Sequence, residues 1–330
     1  MFDPQQTLID AFVPHLLRAL RDTFPDADPT IADALDRAAR TALQTLCNCD
    51  CAYHDLEHTV RVADAGLSIL QGRQIRRGDL TAGDWLHALV ALLYHDIGYL
   101  RGLLRGDRDG AYIADESGRR VITPAAATDA AMAPWHVARG RLYVEERFAG
   151  DPVLNPALLA QHIGMTQFPV PREAPYQETD SLSALVRAAD LIGQMADPDY
   201  PNKQGRLFTE FQETGDARRL GVASADALRA MFPVFFYDQV FPYLSSALEY
   251  LALTRDGRAW SARLYRHVHG ETGSLPNSAE PWPTPAPLGT EALGPATLGS
   301  ATLGPASLRP ATLRPATLRP ETVRAAEARR

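Results

Sequence analysis

An apolar segment that ends in a histidine-aspartate pair constrains the fold of this chain more than any other feature. Residues 88–94 read Ala-Leu-Val-Ala-Leu-Leu-Tyr, His95 and Asp96 follow, and Gly98 then interrupts the segment. Thr81 and Asp84 have the spacing of a capping box, which predicts a helix from Thr81 to about Asp96. A helix this apolar packs in the interior, so it carries the His-Asp pair into the core.

The other periodic segments also have the spacing of helices. We predict them over residues 5–24 (kinked or split at Pro14), 29–46, 53–70, 136–148, 155–165, 182–196, 207–211, 224–230, 235–253 and 260–267. Residues 111–115 and 119–123 have the pattern of a small β-hairpin, in the loop that follows His95 and Asp96 and at a place where it would cover them. We therefore predict an all-α fold, a helical bundle in residues 1–270 with a hairpin-containing loop near the site.

The composition changes to Pro, Ala, Thr, Leu and Gly at about residue 271. Leucine recurs there every five residues from Leu288 to Leu318. Pentapeptide repeats with a central leucine can wind into a β-helix, but a proline in nearly every unit removes backbone donors. The sequence therefore predicts a disordered low-complexity tail over residues 271–330.

Composition limits the cellular setting and the class of partner. The chain has 330 residues, of which 45% are hydrophobic and 22% are charged, enough for a sizeable core. It lacks both a long apolar run and the pattern of a secretory signal, so we expect a cytoplasmic protein without membrane contact. The formal charge of −7 argues against broad nucleic-acid binding. It leaves open a small phosphorylated substrate, because a metal centre supplies local positive charge.

All three cysteines lie in the segment Cys47-Asn-Cys49-Asp-Cys51. Residues two positions apart form poor disulfides, and structural zinc sites use pairs with a different spacing. We expect reduced thiols that serve local packing. A thiolate metal or redox site is the alternative.

Metal-binding side chains recur on the predicted buried faces of successive helices. They are His54, His58, His95, Asp96, His136, His162 and Asp190. Neutral imidazole and carboxylate suit divalent zinc, iron or manganese, and a carboxylate can bridge two ions about 3.5 to 4 Å apart. The pattern predicts a metal centre. Simpler interpretations stay open for His54, as a residue behind the ligands, and for His136 and His162, as buried histidines without a ligand role.

The order His58, His95-Asp96 and Asp190 resembles the HD-domain superfamily of metal-dependent phosphohydrolases, over roughly residues 50–255. The resemblance implies that these residues bind a first metal ion and that Asp96 bridges to a second. The two divalent ions would be zinc, iron, manganese or magnesium. Asp190 would also orient the attacking hydroxide.

Two further stretches resemble class I cyclic nucleotide phosphodiesterases. Residues 53–58, Tyr-His-Asp-Leu-Glu-His, are similar to their Tyr-His-Asn-x-x-His signature, which implies that His54 protonates the leaving oxygen. Residues 208–221 resemble their Glu-Phe-x-x-Gln-Gly-Asp stretch. Gln239 and Phe241 fall where those enzymes bind and clamp a purine, which implies a substrate-binding role for both. A core role for Phe241 stays open.

Tyr99 marks a departure from both relatives. Class I enzymes carry a second histidine at this position, and the bacterial HD-GYP phosphodiesterases carry a lysine. The spacing of His136 and His162 resembles the second-metal ligands of the HD-GYP enzymes, although residues 161–169 lack their paired histidines and Gly-Tyr-Pro.

We therefore expect a metal-dependent phosphohydrolase that acts on a phosphodiester of a nucleotide, with cyclic nucleotides as the leading candidates. A metal-activated hydroxide would attack and His54 would act as general acid. One alternative is a di-iron HD-domain oxygenase. Another is a non-catalytic nucleotide-binding or interaction module with a structural metal.

Overall fold

The computed structural model describes residues 2–270, which belong to the first of the two units into which the chain divides, Met1–Leu288. Within this range the chain is helical apart from loops and one two-stranded hairpin, so the predicted all-α class is confirmed. No helix of the described range is long and apolar enough to cross a membrane. The tail predicted from residue 271 lies outside the described residues.

The helices and strands follow one another in a simple order. They are α1 (Pro4–Thr23), α2 (Pro29–Leu46), α3 (Leu56–Arg77), α4 (Ala82–Tyr94), β1 (Ala111–Ile113), β2 (Arg120–Ile122), α5 (His136–Arg147), α6 (Pro156–Gly164), α7 (Ala174–Gln177), α8 (Leu182–Met195), α9 (Tyr200–Thr214), α10 (Asp216–Arg219), α11 (Ala225–Phe235), α12 (Ser245–Leu251) and α13 (Arg255–His269).

Helix α4 forms where its sequence predicts it. Thr81 and Asp84 make the expected capping box, in which each side chain accepts a hydrogen bond from the other residue's backbone N–H. Every residue from Trp85 to Tyr94 is buried. The helix is followed by a single 3₁₀ turn, Ile97–Tyr99, so His95 and Asp96 sit at the end of a helix enclosed by its neighbours.

Helices α3 and α8 pack against each other at the centre of the bundle. A Cβ atom on Gly193 of α8 would lie 2.5 Å from the Cα atom of Val62 on α3, closer than any side chain allows. Only glycine permits this approach. The contact brings the beginning of α3, with His58, beside the middle of α8, with Asp190.

Two predicted helices differ from the structure. The helix predicted over 53–70 begins only at Leu56, because the carboxylate of Asp55 accepts a hydrogen bond from the His58 N–H at 2.9 Å and caps the first turn. The helix predicted over 235–253 is broken into a π-helical turn at Phe236–Val240, a 3₁₀ turn at Phe241–Tyr243, and α12. Pro242 lacks the backbone N–H that a continuous helix needs.

The remaining predicted helices are present, but three extend well beyond their predicted ends: 207–211 lies within α9, 224–230 within or next to α11, and 260–267 within α13. Helix α2 has the predicted limits, and Pro14 lies inside α1 without splitting it. Strands β1 and β2 pair antiparallel with Tyr112 opposite Val121, as the hairpin prediction required.

Candidate metal centre

Side chains from α3, α8 and the end of α4 converge on one buried point. The Nε2 atom of His58 lies 3.1 Å from Oδ2 of Asp96 and 3.8 Å from Oδ1 of Asp190. The Nε2 atom of His95 lies 3.1 Å and 3.4 Å from the same two oxygens. Ligand atoms of His58, His95 and Asp190 all lie within 4.8 Å of one another. The described residues therefore contain a buried His-His-Asp group that could hold a metal ion, with Asp96 beside it. We call this the first cation position.

The donor set fits a divalent ion. His95 Nδ1 donates to the backbone carbonyl of Leu92 at 2.7 Å, so its Nε2 atom carries the lone pair. His95 Nε2 and Asp96 Oδ2 are buried and lie 3.1 Å apart, but neither makes a hydrogen bond of good geometry among the described residues. Buried polar atoms without a partner destabilise a protein by about 1–3 kcal/mol each. A cation between imidazoles and carboxylates removes that cost and matches the ligand preference of zinc, iron and manganese.

The same charges control protonation of the metal-free centre. Burial lowers the pKa of His95, but the Asp96 and Asp190 carboxylates outweigh this effect and hold the pKa well above its ordinary value. Burial by itself raises the pKa of Asp96, and the neighbouring histidines, His95 first, bring it well below the ordinary value. The cluster therefore attracts positive charge, either a proton or a metal ion, and the two compete.

The two oxygens of Asp96 face different sides. While Oδ2 faces His58 and His95, Oδ1 lies 3.7 Å from Nε2 of His136. His136 Nδ1 donates to the carbonyl of Ala133 at 2.6 Å, which leaves Nε2 free to accept. A carboxylate whose two oxygens face different sides is able to contact one cation with each oxygen. We call the space between Asp96 Oδ1 and His136 Nε2 the second cation position.

His54 lies beside this group but outside α3. Its Nδ1 atom is 2.6 Å from Oε2 of Glu210, and Oε1 of Glu210 accepts the backbone N–H groups of Tyr53 at 2.6 Å and His54 at 3.2 Å. Burial lowers the pKa of His54, whereas Glu210 and then Asp96 and Asp190 raise it, with a net pKa of about 9. In the metal-free protein the imidazole is therefore protonated at neutral pH and can donate a proton. His54 is held by α9 and not by the helix that carries His58, contrary to the predicted shared helix face.

Tyr99 fills the space between His54 and His136. Its ring stacks on His54 at a centroid distance of 4.7 Å and on His136 at 4.4 Å, with interplanar angles of 17° and 20°. The three rings thus form a near-parallel stack along one side of the centre. The side chains of His54, His136 and Asp190 are 16–19% exposed, whereas those of His58 and His95 are at most 4% exposed. Solvent therefore reaches the group at His54, His136 and Asp190, and not at His58 or His95.

A comparison with protein families matched one family over all of the described residues. Residues 2–271 match the family described as Npun_R2479-like. The chain belongs to the Npun_R2479-like family. Comparisons with curated proteins and with solved structures gave no significant match. The family description states no activity, so the function of this Npun_R2479-like protein has to be argued from its site.

The structure does not bring His162 into the centre of this Npun_R2479-like protein. Its Nδ1 atom lies 2.7 Å from the hydroxyl oxygen of Ser183, which is two helical turns before Asp190 on α8, a separation of about 10 Å along the axis. Burial, with a smaller effect of His87, lowers the pKa of His162 to about 4, so the ring is neutral. Helix α6 delivers His162 to the beginning of α8, while the ligands gather at its middle.

The predicted substrate-binding residues lie in the irregular segment after α11. Phe241 packs against Phe236 and Tyr237 at centroid distances of 5.9 and 5.6 Å, and Phe236 is fully buried. Gln239 is half-buried in the π-helical turn. This arrangement fits the core interpretation of Phe241. A purine-binding role for the two residues stays a prediction.

The cysteines of this Npun_R2479-like chain are free thiols, and Cys47 donates to the carbonyl of Leu43 at 3.3 Å. Cys49 Sγ donates to the carbonyl of His54 at 3.3 Å, and Cys51 is buried against Tyr99 and Ala130. The hydrogen bond to Cys49 and burial raise the pKa of the Cys51 thiol. Since thiolates are the reactive form, Cys51 is protected from oxidation, in line with the expected packing role.

Sequence reasoning missed one residue of the candidate site, Glu210, which contacts His54. It stands in the stretch 208–221 that resembles class I phosphodiesterases, but nothing in the spacing of residues links it to His54. In the structure Glu210 is only 4% exposed. A carboxylate on the buried face of an amphipathic helix requires a partner, and this is the available signal. The partner itself becomes visible only when α9 is placed against the loop before α3.

Proposed function

We propose that this protein is a metal-dependent phosphohydrolase that cleaves a phosphodiester, with a nucleotide, cyclic or linear, as the substrate class. One observation carries the proposal: a proton donor, the His54–Glu210 pair, stands next to a group of four potential metal ligands. A His-His-Asp group alone would serve many metal proteins. The addition of a charged imidazole on the open side of the group favours a reaction in which a leaving oxygen needs a proton.

His58, His95, Asp96 and Asp190 would hold the first ion, and Asp96 with His136 would contribute to a second. When bound, such ions lower the pKa of a water molecule so that hydroxide exists at neutral pH, and they neutralise phosphate oxygens. This donor set can bind zinc, iron, manganese or magnesium. The three imidazoles, those of His58, His95 and His136, favour the transition metals.

The protein's own side chains then have distinct tasks. Asp190 is the most exposed of the first-position carboxylates, which suits it to accept a hydrogen bond from the attacking water and orient it. His54 holds a proton at Nε2, because Nδ1 faces Glu210, and would give that proton to the departing ribose oxygen. Glu210 keeps the imidazole charged and fixes its orientation through Nδ1. A protonated leaving group is worth about 10²–10⁴-fold in rate for an alcohol.

The proposal differs from the two alternatives in its need for a proton donor. A di-iron oxygenase would use the same ligands, but oxidation of a carbon centre by dioxygen does not require the His54–Glu210 pair. A binding module with a structural metal would not need partly exposed side chains beside that metal. The His54–Glu210 pair therefore favours hydrolysis.

Metal analysis combined with a phosphoester screen tests the proposal. The purified protein would be analysed for bound metals and assayed on cyclic mononucleotides, cyclic dinucleotides and nucleoside monophosphates. We expect turnover of a diester by the wild type and its loss, together with loss of metal, in Asp96→Ala. Asp226→Ala is the matched control, since that side chain is 89% exposed.

The results of this experiment distinguish the three candidate functions. Equal activity of wild type and Asp96→Ala would refute the assignment of the centre. Iron content with dioxygen consumption would support the oxygenase. Bound metal without turnover of any ester would support the binding module.

A further inference from the structure

Arg139 is a fully buried arginine three residues after His136 on α5. Its Nε atom donates to the carbonyl of Gly98 at 2.7 Å and its Nη2 atom to the carbonyl of Leu100 at 2.6 Å. Its Nη1 atom donates to the carbonyl of Ile113 in β1. One guanidinium thus joins α5 to the turn that follows Asp96 and to the hairpin.

Asp107 balances the charge of this guanidinium. One carboxylate oxygen lies 3.0 Å from Nη2 of Arg139, and both side chains are at most 1% exposed. The same carboxylate accepts the N–H groups of Leu104 at 3.2 Å and Ile113 at 2.8 Å. Because a buried charge is tolerated only when it is paired and hydrogen-bonded, the loop between Asp96 and the hairpin is folded around Arg139.

Gly98 allows the turn and the helix to touch. A Cβ atom at this position would lie 2.0 Å from the carbonyl oxygen of His136 and 2.6 Å from the backbone nitrogen of Gly140. The turn after Asp96 therefore lies directly against the first turn of α5. Asp96 and His136 are far apart in sequence, and this contact places Asp96 Oδ1 3.7 Å from His136 Nε2.

We propose that Arg139 is a positioning residue that sets the geometry of the second cation position by holding the turn after Asp96 against α5. The inference rests on the metal centre of the proposed function. The first cation position is formed by side chains from α3, α8 and the end of α4, and Arg139 has no hydrogen bond to His58, His95 or Asp190 among those that the described residues make. Asp96 belongs to both positions, but the first has three further ligands outside this contact, whereas the second depends on the placement of Asp96 against His136. Loss of Arg139 should therefore weaken the second ion more than the first.

Metal binding distinguishes this role from general structural support. The full chain would be dialysed to equilibrium against increasing Mn²⁺, and bound metal measured by elemental analysis. We expect the wild type to bind two ions and Arg139→Lys to keep the first while binding the second about 10–100-fold more weakly, the range for residues that orient metal ligands. A lysine ammonium is a compact charge that cannot span three carbonyls as the planar guanidinium does.

Two further variants make the test decisive. Asp107→Asn keeps the size of the side chain and weakens the hold on Arg139, so it should also weaken the second ion. Arg187→Lys is the matched control, because Arg187 is 1% exposed and donates to the carbonyls of Tyr176 and Glu178, away from Asp96 and His136. Its affinity for the second ion should equal that of the wild type.

The possible outcomes separate the two proposals. A wild-type affinity for the second ion in either Arg139→Lys or Asp107→Asn, in protein that keeps its helical circular dichroism spectrum, overturns the positioning role. The same weakening in Arg187→Lys also overturns it. Binding of a single ion by the wild type removes the second cation position and this inference but leaves a one-metal hydrolase, whereas no bound metal refutes the proposed function.

Discussion

The Nδ1 atom of His54 lies 2.6 Å from Oε2 of Glu210, although the two residues are 156 positions apart in the chain. Glu210 also accepts the N–H groups of Tyr53 and His54, so a single carboxylate fixes both the ring and the backbone of this loop. Because Glu210 is buried and His54 is largely buried, their interaction affects folding stability as well as chemistry.

The stability of the metal-free protein should depend on pH through this pair. The pKa of His54 is raised from 6.5 to about 9, so its contribution is complete below pH 6.5 and is lost as pH rises through 9. The pKa of Glu210 is lowered from 4.5. Its contribution to stability is therefore complete above pH 4.5 and is lost as the pH falls through the lower pKa of the folded state. We expect Glu210→Gln to be less stable than wild type between these limits, with the difference in unfolding free energy shrinking toward pH 9. Urea unfolding at several pH values measures it, and a pH-independent difference would contradict the assignment.

Substitution of His54 should affect substrates according to their leaving groups. His54→Ala removes the proton donor, so turnover of an alkyl or ribose ester should fall by about 10²–10⁴-fold. An ester of p-nitrophenol, whose oxygen leaves without a proton, should lose far less. Metal content should stay at the wild-type level. Equal losses on both substrates would indicate a role other than proton donation, and loss of metal would make His54 a ligand.

Metal binding should stabilise the fold. A ligand present at 100 times its Kd adds about 2.7 kcal/mol to the unfolding free energy when it binds only the native state. We therefore expect Mn²⁺ or Zn²⁺ to raise the melting temperature of the wild type and to have little effect on Asp190→Asn. The control Asp226→Asn should respond like the wild type. The absence of any metal-dependent shift in the wild type would argue against the first cation position.

The contact between α3 and α8 should not tolerate a methyl group. Gly193→Ala would place a Cβ atom against the backbone of Val62 and should destabilise the protein by about 1–3 kcal/mol, as overpacked cores do. Gly205→Ala is the control, since nothing lies within 4 Å of its added Cβ, and in a helix it should stabilise the protein by about 0.5–1 kcal/mol. Thermal unfolding of the two variants compares these signs.

Local sequence signals predicted much of the fold. The capping box at Thr81, the helical spacing over residues 29–46 and the hairpin pattern over residues 111–123 each act within a few residues, so the elements they predict are present with small shifts. The same local reasoning explains the errors. Asp55 competes for the start of α3 and leaves His54 outside the helix, and Pro242 divides a segment whose apolar pattern continues past it.

The candidate site could be predicted only where its residues share a helix or a neighbouring pair of helices. His58, the His95-Asp96 pair and Asp190 lie on elements that pack closely, and they do converge. His162 also lies on an amphipathic helix, but it contacts the beginning of α8 and not its middle, where Asp190 lies. Helical periodicity shows which face of a helix is buried, but not which turn of a neighbouring helix that face contacts. Glu210 requires knowledge of which face of α9 meets the loop at His54.

Two of the histidines that face Asp96, His95 and His136, owe their orientation to the main chain. The ring proton on Nδ1 of His95 goes to the carbonyl of Leu92, and that of His136 goes to the carbonyl of Ala133, in both cases three residues earlier. A carbonyl is present whatever side chain its residue carries. A substitution at Leu92 or Ala133 therefore leaves the accepting carbonyl in place, and the same imidazole nitrogen of His95 or His136 stays available to a metal.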